Sequence, residues 1–158
     1  MTFSSLDKKF TVKISEDCID SILSYIRIAG RYETGGILMG QYSTNLDIAT
    51  IKNITGPPSD SKGGRTWFKR GIKGLKMIID RFWEQKTYYL GEWHFHPNAA
   101  PNPSLQDKKQ MSEIAISPDY NCPEPILLII GGNYRDYELS FCVTDRLGIT
   151  VQLFRNLI

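Results

Sequence analysis

A chain of 158 residues, 41% hydrophobic and 23% charged, is one domain's worth of protein and apolar enough to bury a core without structural staples. A formal charge of +2, from 19 basic and 17 acidic residues, excludes any global electrostatic argument for nucleic acid or an anionic membrane. Cys18, Cys122 and Cys142 are odd in number and lack C-x-x-C spacing, which argues against a disulfide framework and a cysteine zinc site and favours a reducing compartment.

Met1 to Phe10 has no apolar leader, and no later stretch offers 18 uninterrupted apolar residues, so a single cytoplasmic domain over 1–158 is expected. Phe10, Val12 and Ile14 alternate as a half-buried strand does. Ser15 then caps a helix carrying Cys18, Ile19, Ile22, Leu23 and Ile26, and Gly30 suits its end. Two strands follow, Gly35 to Tyr42 and Leu46 to Ile54, pairing antiparallel around Ser43 to Asn45.

From Thr55 to Arg65 the Gly, Pro, Ser and Lys content predicts an exposed, mobile loop, a candidate lid. The basic cluster Lys62, Arg65, Lys69, Arg70, Lys73 and Lys76 reads as a solvated loop and helix face, because no phosphate-cradling glycine loop accompanies it. Ile72, Leu75, Ile78, Ile79 and Phe82 predict a helix to about Gln85, followed by an aromatic strand from Tyr88 to His96. Prolines 97, 101 and 103 make a stiff loop before a helix from Ser104 to Ile116. Three strands end the chain, Pro125 to Ile130, Tyr137 to Val143 and Ile149 to Phe154, with turns at Gly131-Gly132-Asn133 and at Asp145 to Gly148. The fold class is α/β, a mixed, mostly antiparallel central sheet flanked by helices.

The protein's two histidines stand two apart in His94-Phe95-His96-Pro97, so on a strand both imidazoles point the same way. Zinc accepts imidazole and carboxylate together, and Asp107, in the first turn of the following helix, is the natural third ligand, with Ser104 beside it. Each half has a bland reading: a lone H-x-H is packing or surface chemistry, and S-x-x-D before an apolar run is a capping box.

Taken together, His94, His96, Pro97, Ser104 and Asp107 resemble the JAMM, or MPN-plus, signature HxHPx(6)SxxD of the Mov34/PAD-1 and prokaryotic JAB metallopeptidases. The resemblance also implies an upstream Glu beside a Gly-rich strand, which Glu33-Thr34-Gly35-Gly36 supplies, and it covers most of the chain. It implies a JAB1/MPN, cytidine-deaminase-like fold; one zinc per chain on His94, His96 and Asp107; Glu33 as proton-transferring base; and Ser104 as donor to the oxyanion. Glu92, two residues before His94, competes for the base role or stands behind the ligands. Trp67, Phe68, Trp93 and Phe95 are either channel or core, and Cys122 reads as structural.

The compact size and the string GEWHFHP are most similar to the deconjugating peptidases that accompany bacterial cGAS-like nucleotidyltransferases in CBASS antiphage operons. That likeness implies a protein partner, the conjugated C-terminal tail of a nucleotidyltransferase or a ubiquitin-like conjugate; from charge and hydropathy, neither nucleic acid nor membrane is expected as a partner. Processing of ubiquitin-like sulfur carriers and a metal-free MPN scaffold remain alternative readings.

Overall fold

The computed structural model describes residues 1–157, so the expected domain 1–158 ends one residue outside the described residues. The elements run β1 (Thr2–Ser4), β2 (Thr11–Ile14), α1 (Glu16–Ala29), β3 (Thr34–Tyr42), β4 (Ile48–Ile54), β5 (Lys62–Gly63), β6 (Phe68–Lys69), α2 (Leu75–Glu84), β7 (Tyr88–Pro97), α3 (Leu105–Ile116), β8 (Ile126–Gly132), β9 (Tyr137–Thr144) and β10 (Thr150–Arg155). α1 starts where the Ser15 hydroxyl accepts the Cys18 N–H at 3.2 Å and stops at Gly30, whose φ of 64° is left-handed. Its inner face buries Cys18, Ile19, Ile22 and Ile26, each isoleucine contributing about 1.5–3 kcal/mol by leaving water.

The sheet corrects the expectation of an open, helix-flanked layer. The strands close into a barrel in the order β1-β10-β9-β8-β7-β3-β4-β2. The closing piece is β1, which pairs with both β2 and β10; at three residues it is too short to display an alternation in the sequence. Most pairs are antiparallel, as expected, but β2–β4 and β7–β8 are parallel.

Helices still cover both faces of β7. Leu90, Trp93 and Phe95 join α1 in one apolar cluster, while Tyr89 joins α2 and α3 in the other, with Leu127 and Ile129 of β8. Glu92 and His94 share that second face, because side chains on a strand alternate.

Two local expectations also change. β8 continues through Gly132, and the turn falls at Asn133, whose side-chain oxygen accepts the N–H groups of Arg135 and Asp136. Gly131 is there for space: a Cβ would sit 2.3 Å from the Ala99 carbonyl oxygen, where the proline loop crosses the strand. α2 begins at Leu75 rather than Ile72, because Gly74 is left-handed at φ 76° and breaks the helical run; the Asp60 carboxylate takes the N–H groups of Ile72 and Lys73 before it.

Candidate active site

The site is built on the second face of β7. His94 pairs with Gly35 of β3 and Ile129 of β8, so its ring stands on a strand held on both sides. Gly35 is required there. A Cβ would lie 2.8 Å from the Phe68 ring and 3.0 Å from the His94 ring. Phe68 in turn packs edge-on against His94, with ring centroids 5.8 Å apart.

Asp107 reaches the same place from the first turn of α3. The Ser104 hydroxyl accepts the Asp107 N–H at 3.0 Å, and Asp107 Oδ2 accepts the Ser104 N–H at 2.7 Å, a complete capping box. The bland reading of S-x-x-D is therefore correct, and the same capping geometry fixes the aspartate. Its Oδ1 lies 2.8 Å from His94 Nδ1, and its Oδ2 3.5 Å from His96 Nε2.

His94 is flanked by two carboxylates, since its Nε2 lies 3.3 Å from Glu92 Oε2. Burial disfavours charge on the ring, but the hydrogen bonds to Asp107 and Glu92 outweigh it and raise its pKa to about 9. Burial likewise works against the Asp107 charge, and His94 and His96 reverse it, holding the carboxyl far below the usual range.

A buried imidazole between two carboxylates is a place that wants a positive ion. Two imidazole nitrogens and a carboxylate are a donor set zinc accepts, and neighbouring ligands around such an ion stand about 3.3 Å apart. Among the described residues no three His, Cys, Asp or Glu side chains already surround an ion-sized point. His94 and Asp107 instead touch directly at 2.8 Å, about half an ångström inside the ligand spacing.

Glu33, just before β3, is half-buried, and its backbone N–H donates to the Gly64 carbonyl at 2.8 Å. Burial raises its pKa; His96 and His94 pull it down and Asp107 pushes it up, so its charge is felt by all three groups. Hydrogen bonds and close contacts bring together His94, His96, Ser104 and Asp107, and Glu33 lines a cleft with Phe68, which packs on His94.

Glu92 faces the same cluster with no free oxygen. Its Oε1 accepts from Arg70 Nε at 2.6 Å and Tyr89 at 3.2 Å, and its Oε2 from Gln110 at 3.0 Å. Burial would raise its pKa, but His94 and Arg70 override that and keep it ionised. Removing one member of such a buried pair typically costs about 3–5 kcal/mol. Arg70 was expected on a solvated face and is instead buried beneath the site. The sequence signal for it was weak: a basic residue among exposed lysines, 22 positions from its partner.

The loop expected as a mobile lid is tied down. Trp93 Nε1 donates to the Thr55 carbonyl at 2.9 Å, Asp60 caps residues 72 and 73, and β5 pairs with β6. Of the four aromatics, Trp93 and Phe95 are core, Phe68 borders the site and Trp67 is 53% exposed. Cys122 is buried and free, its thiol pushed up to about 12 by burial, and donates weakly to the Leu90 carbonyl. Among the described residues no helix is long and apolar enough to cross a membrane.

Residues 15–143 match the family of prokaryotic homologs of the JAB domain. The chain belongs to the prokaryotic JAB family. Along its full length this JAB domain is 42% identical to a CD-NTase/cGAS isopeptidase of Enterobacter hormaechei subsp. hoffmannii, covering 88% of that protein. It is 28% identical to the probable metalloprotease y4qB of Sinorhizobium fredii, over 75% of this chain and 74% of that one. The solution structure of protein DSY2949 from Desulfitobacterium hafniense shares the fold, with a TM-score of 0.66, 17% identity and coverage of 89% and 88% of the two chains.

Proposed function

We propose that this JAB domain is a zinc-dependent isopeptidase that hydrolyses the bond after the C-terminal tail of a conjugated protein, a cGAS-like nucleotidyltransferase. It would thereby reverse a ubiquitin-like conjugation in antiphage defence. The chemistry rests on one observation, the convergence of His94, His96 and Asp107, with Asp107 2.8 Å from His94 and 3.5 Å from His96. The substrate rests on the full-length likeness to the Enterobacter isopeptidase.

His94, His96 and Asp107 would hold the metal. When bound, zinc supplies Lewis acidity, polarising the scissile carbonyl and making water acidic enough to attack near neutral pH. Glu33, with its raised pKa, takes the proton from the attacking water and delivers it to the departing amine. Ser104 uses its hydroxyl oxygen as acceptor for Asp107, which leaves its hydrogen free to donate to the tetrahedral oxyanion. No side chain is acylated, so the products are a free carboxylate and a free amine.

The tail has a place to lie. A cleft of about 520 Å³ runs between Tyr25, Ile28 and Tyr32 at the end of α1 and Pro58 and Lys62 of the hairpin segment, ending at Glu33 and Phe68. Ile28 is 84% exposed and Tyr32 46%, an apolar wall open to solvent. An extended tail there would deliver its terminal carbonyl to Glu33.

The test is a nucleotidyltransferase fused at its C-terminus to a reporter protein. Cleavage at the junction, stopped by a chelator and restored by zinc, is the expected result. A fusion left intact by zinc-loaded protein would overturn the substrate assignment.

A further inference from the structure

Behind His94 lies a buried assembly that the reaction itself does not use. Arg70 is committed at every nitrogen: Nε to Glu92 Oε1 at 2.6 Å, Nη1 to the Gly71 carbonyl at 2.8 Å, and Nη2 to the Tyr120 hydroxyl at 2.6 Å. Its guanidinium also lies over the Tyr120 ring, which packs at a tilt, centroids 4.7 Å apart, against Tyr89, a further donor to Glu92. The ion pair is almost wholly out of water, with 4% and 0% of the two side chains exposed.

Such a pair is costly to bury and contributes little net stability compared with apolar packing. Its geometry has one outlet toward the site. With Oε1 occupied by Arg70 and Tyr89, Glu92 turns Oε2 to His94 Nε2 and Gln110. Holding one ring nitrogen by a carboxylate leaves the other, Nδ1, facing Asp107. A metal-ligating imidazole needs this second partner, because it fixes both ring orientation and tautomer.

We infer that Arg70 is a positioning residue for the metal centre: it locks Glu92, and Glu92 fixes the His94 ring so that its other nitrogen faces the ion. The inference rests on the zinc reading above. β6 carries Phe68 to the His94 ring, and Arg70, the residue just after that strand, reaches Glu92.

The experiment compares zinc affinity, by competition with a chromophoric chelator, and thermal melting in the parent and three variants. Arg70→Met combined with Glu92→Gln removes the charges together and avoids stranding one. Gln110→Met removes a single donor at a partly exposed position and leaves the ion pair whole. Arg70→Lys keeps charge but not the planar fork. The double variant should melt within a few degrees of the parent yet bind zinc about 10–100-fold more weakly, and Gln110→Met about tenfold or less. Arg70→Lys should fall between parent and double variant. If the double variant does not fold, Gln110→Met and Arg70→Lys decide, and parental zinc affinity in both would overturn the inference. A parent that binds no zinc would instead sink the metal reading on which it stands.

Discussion

The two faces of β7 use one stretch of chain for opposite purposes. Leu90, Trp93 and Phe95 are completely buried in the apolar core, whereas Glu92 and His94, nearly as deep, are engaged by charged and hydrogen-bonding groups. Burial alone therefore does not mark a residue as scaffold. What differs is the cost of error: an apolar side chain loses contacts gradually, but a buried charge without its partner loses its whole compensation.

The comparison predicts that activity and stability separate by face. Glu33→Gln should lower turnover of a tail fusion about 10²–10⁴-fold while zinc content and melting temperature stay at parental values. Unchanged turnover would pass the base role elsewhere. On the other face, Phe95→Ala should cost about 3–5 kcal/mol in urea unfolding, and the protein that remains folded should still bind zinc.

Ser104 sharpens the contrast because the proposed mechanism gives it a role beside its cap. Ser104→Ala should reduce turnover about 10²–10³-fold through the lost oxyanion donor and stability by about 1 kcal/mol through the lost cap. Ser104→Asn restores a cap of equal quality, so stability should recover while turnover does not. Recovery of both would leave the hydroxyl a purely structural role.

The smallest effect is expected at Cys122. A thiol pushed up to about 12 stays protonated throughout the neutral range, since the thiolate appears only as pH rises toward that value. Native protein at pH 7–8 should leave Cys122 unmodified by iodoacetamide and keep full activity, as read by mass spectrometry and fusion cleavage. Rapid alkylation with loss of cleavage would bring Cys122 into the site.

Local signals were legible because they belong to single elements. Ser15 and Ser104 capped helices as their sequences required, strand alternation put His94 on the face of Glu92, and the spacing from His94 to Asp107 spanned one strand, one stiff loop and one helical turn. Composition marked the Thr55 to Arg65 segment as exposed but could not show its anchors, the Trp93 indole and the N–H groups of Ile72 and Lys73, which lie outside it.

By itself, then, the sequence determined the helices, most of the strands and the string His94, His96, Ser104 and Asp107, since periodicity, caps and short spacings are written within a few turns of chain. Only the tertiary structure decided that β1 closes a barrel and that Arg70 lies under Glu92. Those are contacts between residues far apart in the chain, and a partner's identity across such a gap leaves no trace in the local pattern of either residue.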